Sequence, residues 1–241
     1  MRRVKVGRHT VEASDVLASY WRFAAERQNV YHARLLGDPG PWTDDPVLSR
    51  FRSTNAYRAA DRVSQDLIRV AYEGPQDAEN LVFRVMLFRF FNKPSTWAAL
   101  ESQFGEISVD SFDVDAFDSV LDRLLSEGER IYSAAYIIPP PPFGAVRKHR
   151  NHLLLIDHML HAGVADRIAA ATSLREVFET VSSFPSLGPF LSYQLAIDFN
   201  YTTVIDQEVL PRLRRGLGRR CHTLDGRHSS GSVRAERNRV P

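Results

Sequence analysis

A chain of 241 residues with 44% hydrophobic content can bury one substantial core, and its single cysteine, Cys221, excludes a disulfide scaffold. The net charge of +2 is unevenly spread: residues 211–241 carry nine Arg against two acidic residues, a net of +7, which leaves −5 for residues 1–210. A case for nucleic-acid binding by the body therefore needs a local basic patch rather than the overall charge. No apolar run follows the basic MRRVKVGRH, and none approaches the roughly 20 residues of a membrane span, so the expectation is a cytoplasmic protein with no membrane partner.

In chain order, Ser14 to Leu36 has helical periodicity, with Val16, Tyr20, Phe23 and Val30 on one side and Gly37 where a C-terminal cap belongs. Pro41 to Arg62 then concentrates stop signals and caps: Asp45 before Pro46 reads as an N-cap followed by proline at the first helical position. A helix from about Thr54 to Tyr72 is expected next, closed by Gly74 and Pro75. At ~100° per residue its core side is Ala56, Ala60, Val63, Leu67, Val70 and Ala71, and Asn55, Arg58, Arg62 and Gln65 share the other face. Two readings of that face stand. It is a solvated helix back, or Arg58 and Arg62, like charges at i,i+4, bind something anionic in a cleft.

Asp77 to Asn92 contains LVFRVMLFRFF, apolar around its whole circumference and hence a central buried helix. Arg84 and Arg89 interrupt it, and a buried guanidinium must be paired or line a cavity; an aspartate partner and a ligand-facing role both remain open. A short helix starts at Pro94 and ends at Gly105, and another spans Asp110 to Glu127. Pro139 to Pro142 reads as a rigid turn before a helix from Arg147 to Ala162. That helix pairs His149 with His152 and His158 with His161, but relative to His149 the others fall at about 300°, 180° and 120°, so no face gathers four histidines and no metal site is expected. Ser173 and Glu176 have capping-box spacing at the start of a helix through Ser182. No internal repeat and no strand of convincing length appears, so the fold class is all-α.

The segment FPSLGPFLSYQLAIDF is a helix end, a tight turn and a second helix from Pro189. It resembles the helix-hairpin-helix of DNA glycosylases, whose hairpin backbone N–H groups meet a DNA phosphate. The resemblance makes Gly188 the hairpin glycine and Asp206, in VIDQEV, the candidate catalytic aspartate. Ser186 stands where the first hairpin glycine is usual, and no lysine marks a bifunctional glycosylase. The alternative is an ordinary connection between core helices.

A longer ordered series is Glu26-Arg27-Gln28, Arg34, Pro41-Trp42-Thr43, Asp45-Pro46-Val47-Leu48, Thr54-Asn55, Tyr57-Arg58, Asp61-Arg62, Phe88-Arg89, Phe91-Asn92-Lys93 and Trp97. Over roughly residues 15–205 this resembles the helical domain of 5-hydroxymethyluracil DNA kinases, also described as the α-glutamyl/putrescinyl-thymine pyrophosphorylase group. The resemblance implies a multi-helix, glycosylase-like domain over residues 14–206 between an N-terminal extension, 1–13, and a basic tail, 207–241. It also implies a part in thymine hypermodification of DNA, where the 5-hydroxymethyl group of a base is activated with phosphate or pyrophosphate. On that reading Arg27, Arg58, Arg62, Arg89, Asn92 and Gly188 contact phosphate or DNA, Asn55 and Asp61 orient them, and Asp206 with Asp61 are the candidate acid or base groups.

No GxxxxGK[ST] occurs, so a nucleoside triphosphate, if used, calls for a separate kinase or transferase chain. The alternatives are a non-catalytic helical module that binds DNA or a partner, and a base-excision glycosylase. The tail LPRLRRGLGRRCHTLDGRHSSGSVRAERNRVP lacks apolar periodicity and reads as disordered, either an altered or frameshifted end or a basic arm on DNA phosphates.

Overall fold

The computed structural model describes residues 3–12, 14–51, 57–135 and 138–205. Asn55, Asp206 and the tail from 207 onward lie outside those residues. The described chain is helical apart from one small hairpin, β1 (Arg3–Val6) paired antiparallel with β2 (His9–Glu12), which turns at Gly7 with φ of 58°. The hairpin departs from the all-α expectation; each strand is only four residues long, too short for an alternating pattern to stand out in the sequence.

Local caps set most boundaries. α1 (Asp15–Leu36) ends at Gly37, whose left-handed φ of 78° directs its N–H back to the carbonyls of Ala33 and Arg34. Val16 and Tyr20, on the apolar side of α1, are exposed along with Trp21. Asp45 caps α2 (Pro46–Arg50) by accepting from the N–H groups of Val47 and Leu48 at 2.8 and 2.9 Å. Asp77 caps α4 (Ala78–Phe91), and Asn92 closes it in the left-handed region at φ 52°. α5 (Pro94–Phe104) starts with proline in its first turn and stops at Gly105. α6 (Val114–Ser126) starts four residues later than the periodicity suggests because Asp113 caps it, accepting from Ala116 N–H at 2.7 Å.

The helix expected from Thr54 is the main correction. Arg58–Ala60 form a single 3₁₀ turn, Asp61 is extended at ψ 141°, and α3 (Arg62–Tyr72) begins only after it. Arg58 and Arg62 are therefore not neighbours on one helix. Arg62 is exposed at the start of α3, whereas Arg58 turns inward.

α4 is the central element, buried from Leu81 to Phe91, with α3, α7 (Lys148–His161), α8 (Val164–Ala169) and α10 (Pro189–Phe199) packed around it. Each large side chain it buries, Phe83, Phe88 and Phe90 among them, contributes roughly 1.5–3 kcal/mol. α9 (Leu174–Ser182) packs on α10 across a turn at 183–188, and α6 packs on α7. Arg84, fully buried, donates to the carbonyls of Ala71 and Pro75 and so caps the C-terminal end of α3. Gly74 is needed beside it: φ is 94°, and a Cβ there would lie 3.3 Å from the Arg84 guanidinium.

Candidate functional site

Two polar residues of the mostly apolar α10, Gln194 and Asp198, sit four apart and face the same side of the helix. Asp198 is completely buried, and a buried carboxylate is tolerable only when its oxygens are satisfied by strong donors. Arg89 from α4 supplies a fork, Nε to Oδ2 at 2.5 Å and Nη2 to Oδ1 at 2.9 Å. Arg58, from the 3₁₀ turn 140 residues away in sequence, donates Nη2 to the same Oδ1 at 2.8 Å and Nη1 to the Gln194 side-chain oxygen. Arg89 also donates Nη1 to Asn92 Oδ1 at 2.7 Å, which ties the helix cap into the network. Near this network the Tyr201 hydroxyl titrates above its ordinary value, chiefly because burial disfavours the phenolate.

Solvent reaches this network from one side. Arg89 is 2% exposed and Asn92 3%; Arg89 orients Asp198, and Asn92 holds Arg89 from behind. Arg58 keeps 26% of its side chain exposed. Beside it Tyr57 is exposed, its ring 6.2 Å from that of Tyr31 on α1. Along α10, Phe190 and Tyr193 are 60% and 57% exposed and lie one turn from Gln194 or next to it. Gly188 caps the N-terminus of α10, exposed, with open space where a Cβ would stand.

The other expected site residues lie elsewhere. Asp61 occupies the N-cap position of α3 but its carboxylate makes no capping bond. Arg27, on α1, has its guanidinium 6.0 Å from the Phe23 ring. Among the described residues none of Arg27, Asp61 and Arg62 bonds to Asp198. Asp198 and Gln194 were not singled out as site residues in the sequence; their signal was a polar i,i+4 pair within an apolar helix.

Several residues of the ordered series have structural tasks. Thr43 donates to Glu26 at 2.8 Å and accepts the Asp45 N–H at 3.0 Å, while Trp42 donates its indole N–H to the Asp38 carbonyl and lies 5.0 Å from the Arg34 guanidinium. Together they fasten the loop before α2 onto α1. No helix among the described residues is long and apolar enough to cross a membrane.

A family model described as the helical domain of 5-hmdU DNA kinase matches residues 14–211. A curated relative, the 5-hmdU DNA kinase of Bacillus phage SP10, is 29% identical over 201 residues. The match takes in 74% of this chain and 30% of the relative, so the chain spans about a third of that protein's length. No solved structure matches. With the family model covering most of its length, the chain belongs to the family of the 5-hmdU DNA kinase helical domain.

Proposed function

We propose that this chain is the DNA-engaging helical part of a thymine-hypermodification system, that it binds DNA carrying 5-hydroxymethyluracil, and that a separate kinase or transferase chain carries out phosphoryl transfer. The observation that supports it most is the placement of Arg58. Asp198 and Gln194 hold its guanidinium while 26% of the side chain as a whole stays exposed, so little side-chain entropy remains to be lost on contact with a phosphate oxygen. The exposed rings of Tyr57, Phe190 and Tyr193 are suited to an unstacked base, since stacking tolerates any base and chemistry on a base requires that it leave the duplex. Gly188, at the open N-terminus of α10, suits close approach of a backbone phosphate. The absence of GxxxxGK[ST] from these 241 residues supports nucleotide chemistry carried out outside this helical part.

Incubation of the full chain with γ-labelled ATP and 5-hydroxymethyluracil DNA tests the division of labour. The expected result is bound DNA without transferred label. Label on the DNA would place the chemistry in this chain, and abasic sites would make it a base-excision enzyme; either outcome contradicts the proposal.

A further inference from the structure

A second cluster lies on the α6–α7 contact, away from Asp198. His149, near the start of α7, has a side chain only 2% exposed, and its Nε2 satisfies hydrogen-bond geometry to no partner. That nitrogen points between two carboxylates one helical turn apart on α6, 3.0 Å from Asp118 Oδ1 and 3.3 Å from Asp122 Oδ1. Both oxygens are themselves buried without a hydrogen-bond partner. These are ion-pair distances, yet the three atoms meet hydrogen-bond geometry with no partner, which is unusual because buried polar atoms are nearly always satisfied.

The spacing has a simple explanation. Ligands at roughly 2.0–2.2 Å from a tetrahedral zinc-type ion lie about 3.3–3.5 Å from one another, and the two nitrogen-to-oxygen separations are close to that. All three atoms lie within 4.8 Å of one another. We propose that Asp118, Asp122 and His149 bind a divalent transition-metal ion of the zinc class, through one imidazole nitrogen and two carboxylate oxygens with the remaining position open to water.

The surroundings support such a site. Arg150 donates to Asp118 Oδ2 at 2.8 Å and to Asp115 at 2.6 Å, which leaves Asp118 Oδ1 directed at His149 and supplies an outer partner that orients the carboxylate. Arg147 is the competing cation, 3.5 Å from Asp122 Oδ1, but its side chain is largely exposed and has room to swing outward. Access exists as well: a cleft of about 460 Å³ is lined by Asp122 and Arg147, and one of about 520 Å³ by Arg147 and His149. The ion would tie α6 to α7. Histidine spacing along α7 does not point to this site, because the companions of His149 lie on another helix, 27 and 31 residues upstream.

Calorimetric titration of the full, chelator-treated chain with ZnCl2 tests the assignment, alongside Asp122→Asn, which alters the most exposed ligand, and His149→Gln, each checked for helicity by circular dichroism. The expected result is one site per chain, with affinity at least tenfold weaker in Asp122→Asn and in any folded His149→Gln, and a zinc-dependent rise in Tm that Asp122→Asn reduces. Absence of zinc binding, or binding and Tm rise undiminished in Asp122→Asn, as when Cys221 and the other histidines hold the ion, overturns it.

Discussion

Ser186 is one of two non-glycine residues of the described chain in the left-handed region, with φ of 63°. It occupies the turn between α9 and α10 where a glycine would be unstrained, and an L side chain in that conformation costs about 1–2 kcal/mol. Ser186→Gly should therefore raise stability, by about 0.5–1 kcal/mol after the extra freedom of glycine in the unfolded chain is deducted. Urea unfolding with an unchanged slope and a higher midpoint would show it. His152 is a second single-residue case. Its ring bridges the Tyr132 hydroxyl at 2.8 Å and the Pro139 carbonyl at 3.2 Å, and burial pushes its pKa down to about 4. The unfolded chain takes up this proton near pH 6.5 and the folded one only near pH 4, so the contribution is complete above pH 6.5 and is lost as pH falls toward 4. The loss amounts to about 3 kcal/mol. Unfolding free energies at pH 7.5 and 4.5 should differ by correspondingly less in His152→Gln.

At the scale of elements, boundaries with a local cause were legible. Asp45, Asp77 and Ser173 each accept from backbone N–H groups in the first turn of the following helix, and Gly37 and Asn92 take the left-handed C-cap conformation. The break at Asp61 was not, because Ala59 and Ala60 are compatible with helix and nothing nearby forces extension. What forces it is distant: a continuous helix would leave Arg58 one turn from Arg62 on an exposed face, whereas the 3₁₀ turn carries it to Gln194 and Asp198 on α10. The loop before α2 is held in a similar way by side chains, and Thr43→Val removes both the bond to Glu26 and the acceptor for Asp45 N–H. Limited proteolysis within residues 38–50 should accelerate in that variant while Tm changes little, since the central helices are untouched.

Across the whole molecule, α4, α10 and the 3₁₀ turn are joined at one carboxylate. Asp198→Ala leaves Arg89 buried without its counter-charge, which is expected to cost about 3–5 kcal/mol, whereas Asp115→Ala, which breaks an exposed pair with Arg150, should leave stability nearly unchanged. Denaturant unfolding of the two variants side by side checks the contrast. The predominantly helical architecture followed from periodicity and caps, and the buried α4 from an apolar run interrupted only by Arg84 and Arg89. The site was only half legible: Arg58 and Arg89 stood out as charges in unusual places, but their shared partner Asp198 lies 140 and 109 residues away, a pairing that only the fold creates.

The most direct test of the proposed role is equilibrium binding of the full chain to duplexes that differ only in one 5-hydroxymethyluracil or thymine, measured for the wild type, Arg58→Ala, Tyr193→Ala and the remote control Arg123→Ala. We expect the wild type and Arg123→Ala to prefer the hydroxymethylated duplex, and Arg58→Ala and Tyr193→Ala each to bind it about tenfold more weakly, in line with the loss of one phosphate grip or one stacked base. Equal affinity of the wild type for the two duplexes, or full affinity retained in Arg58→Ala, would contradict it.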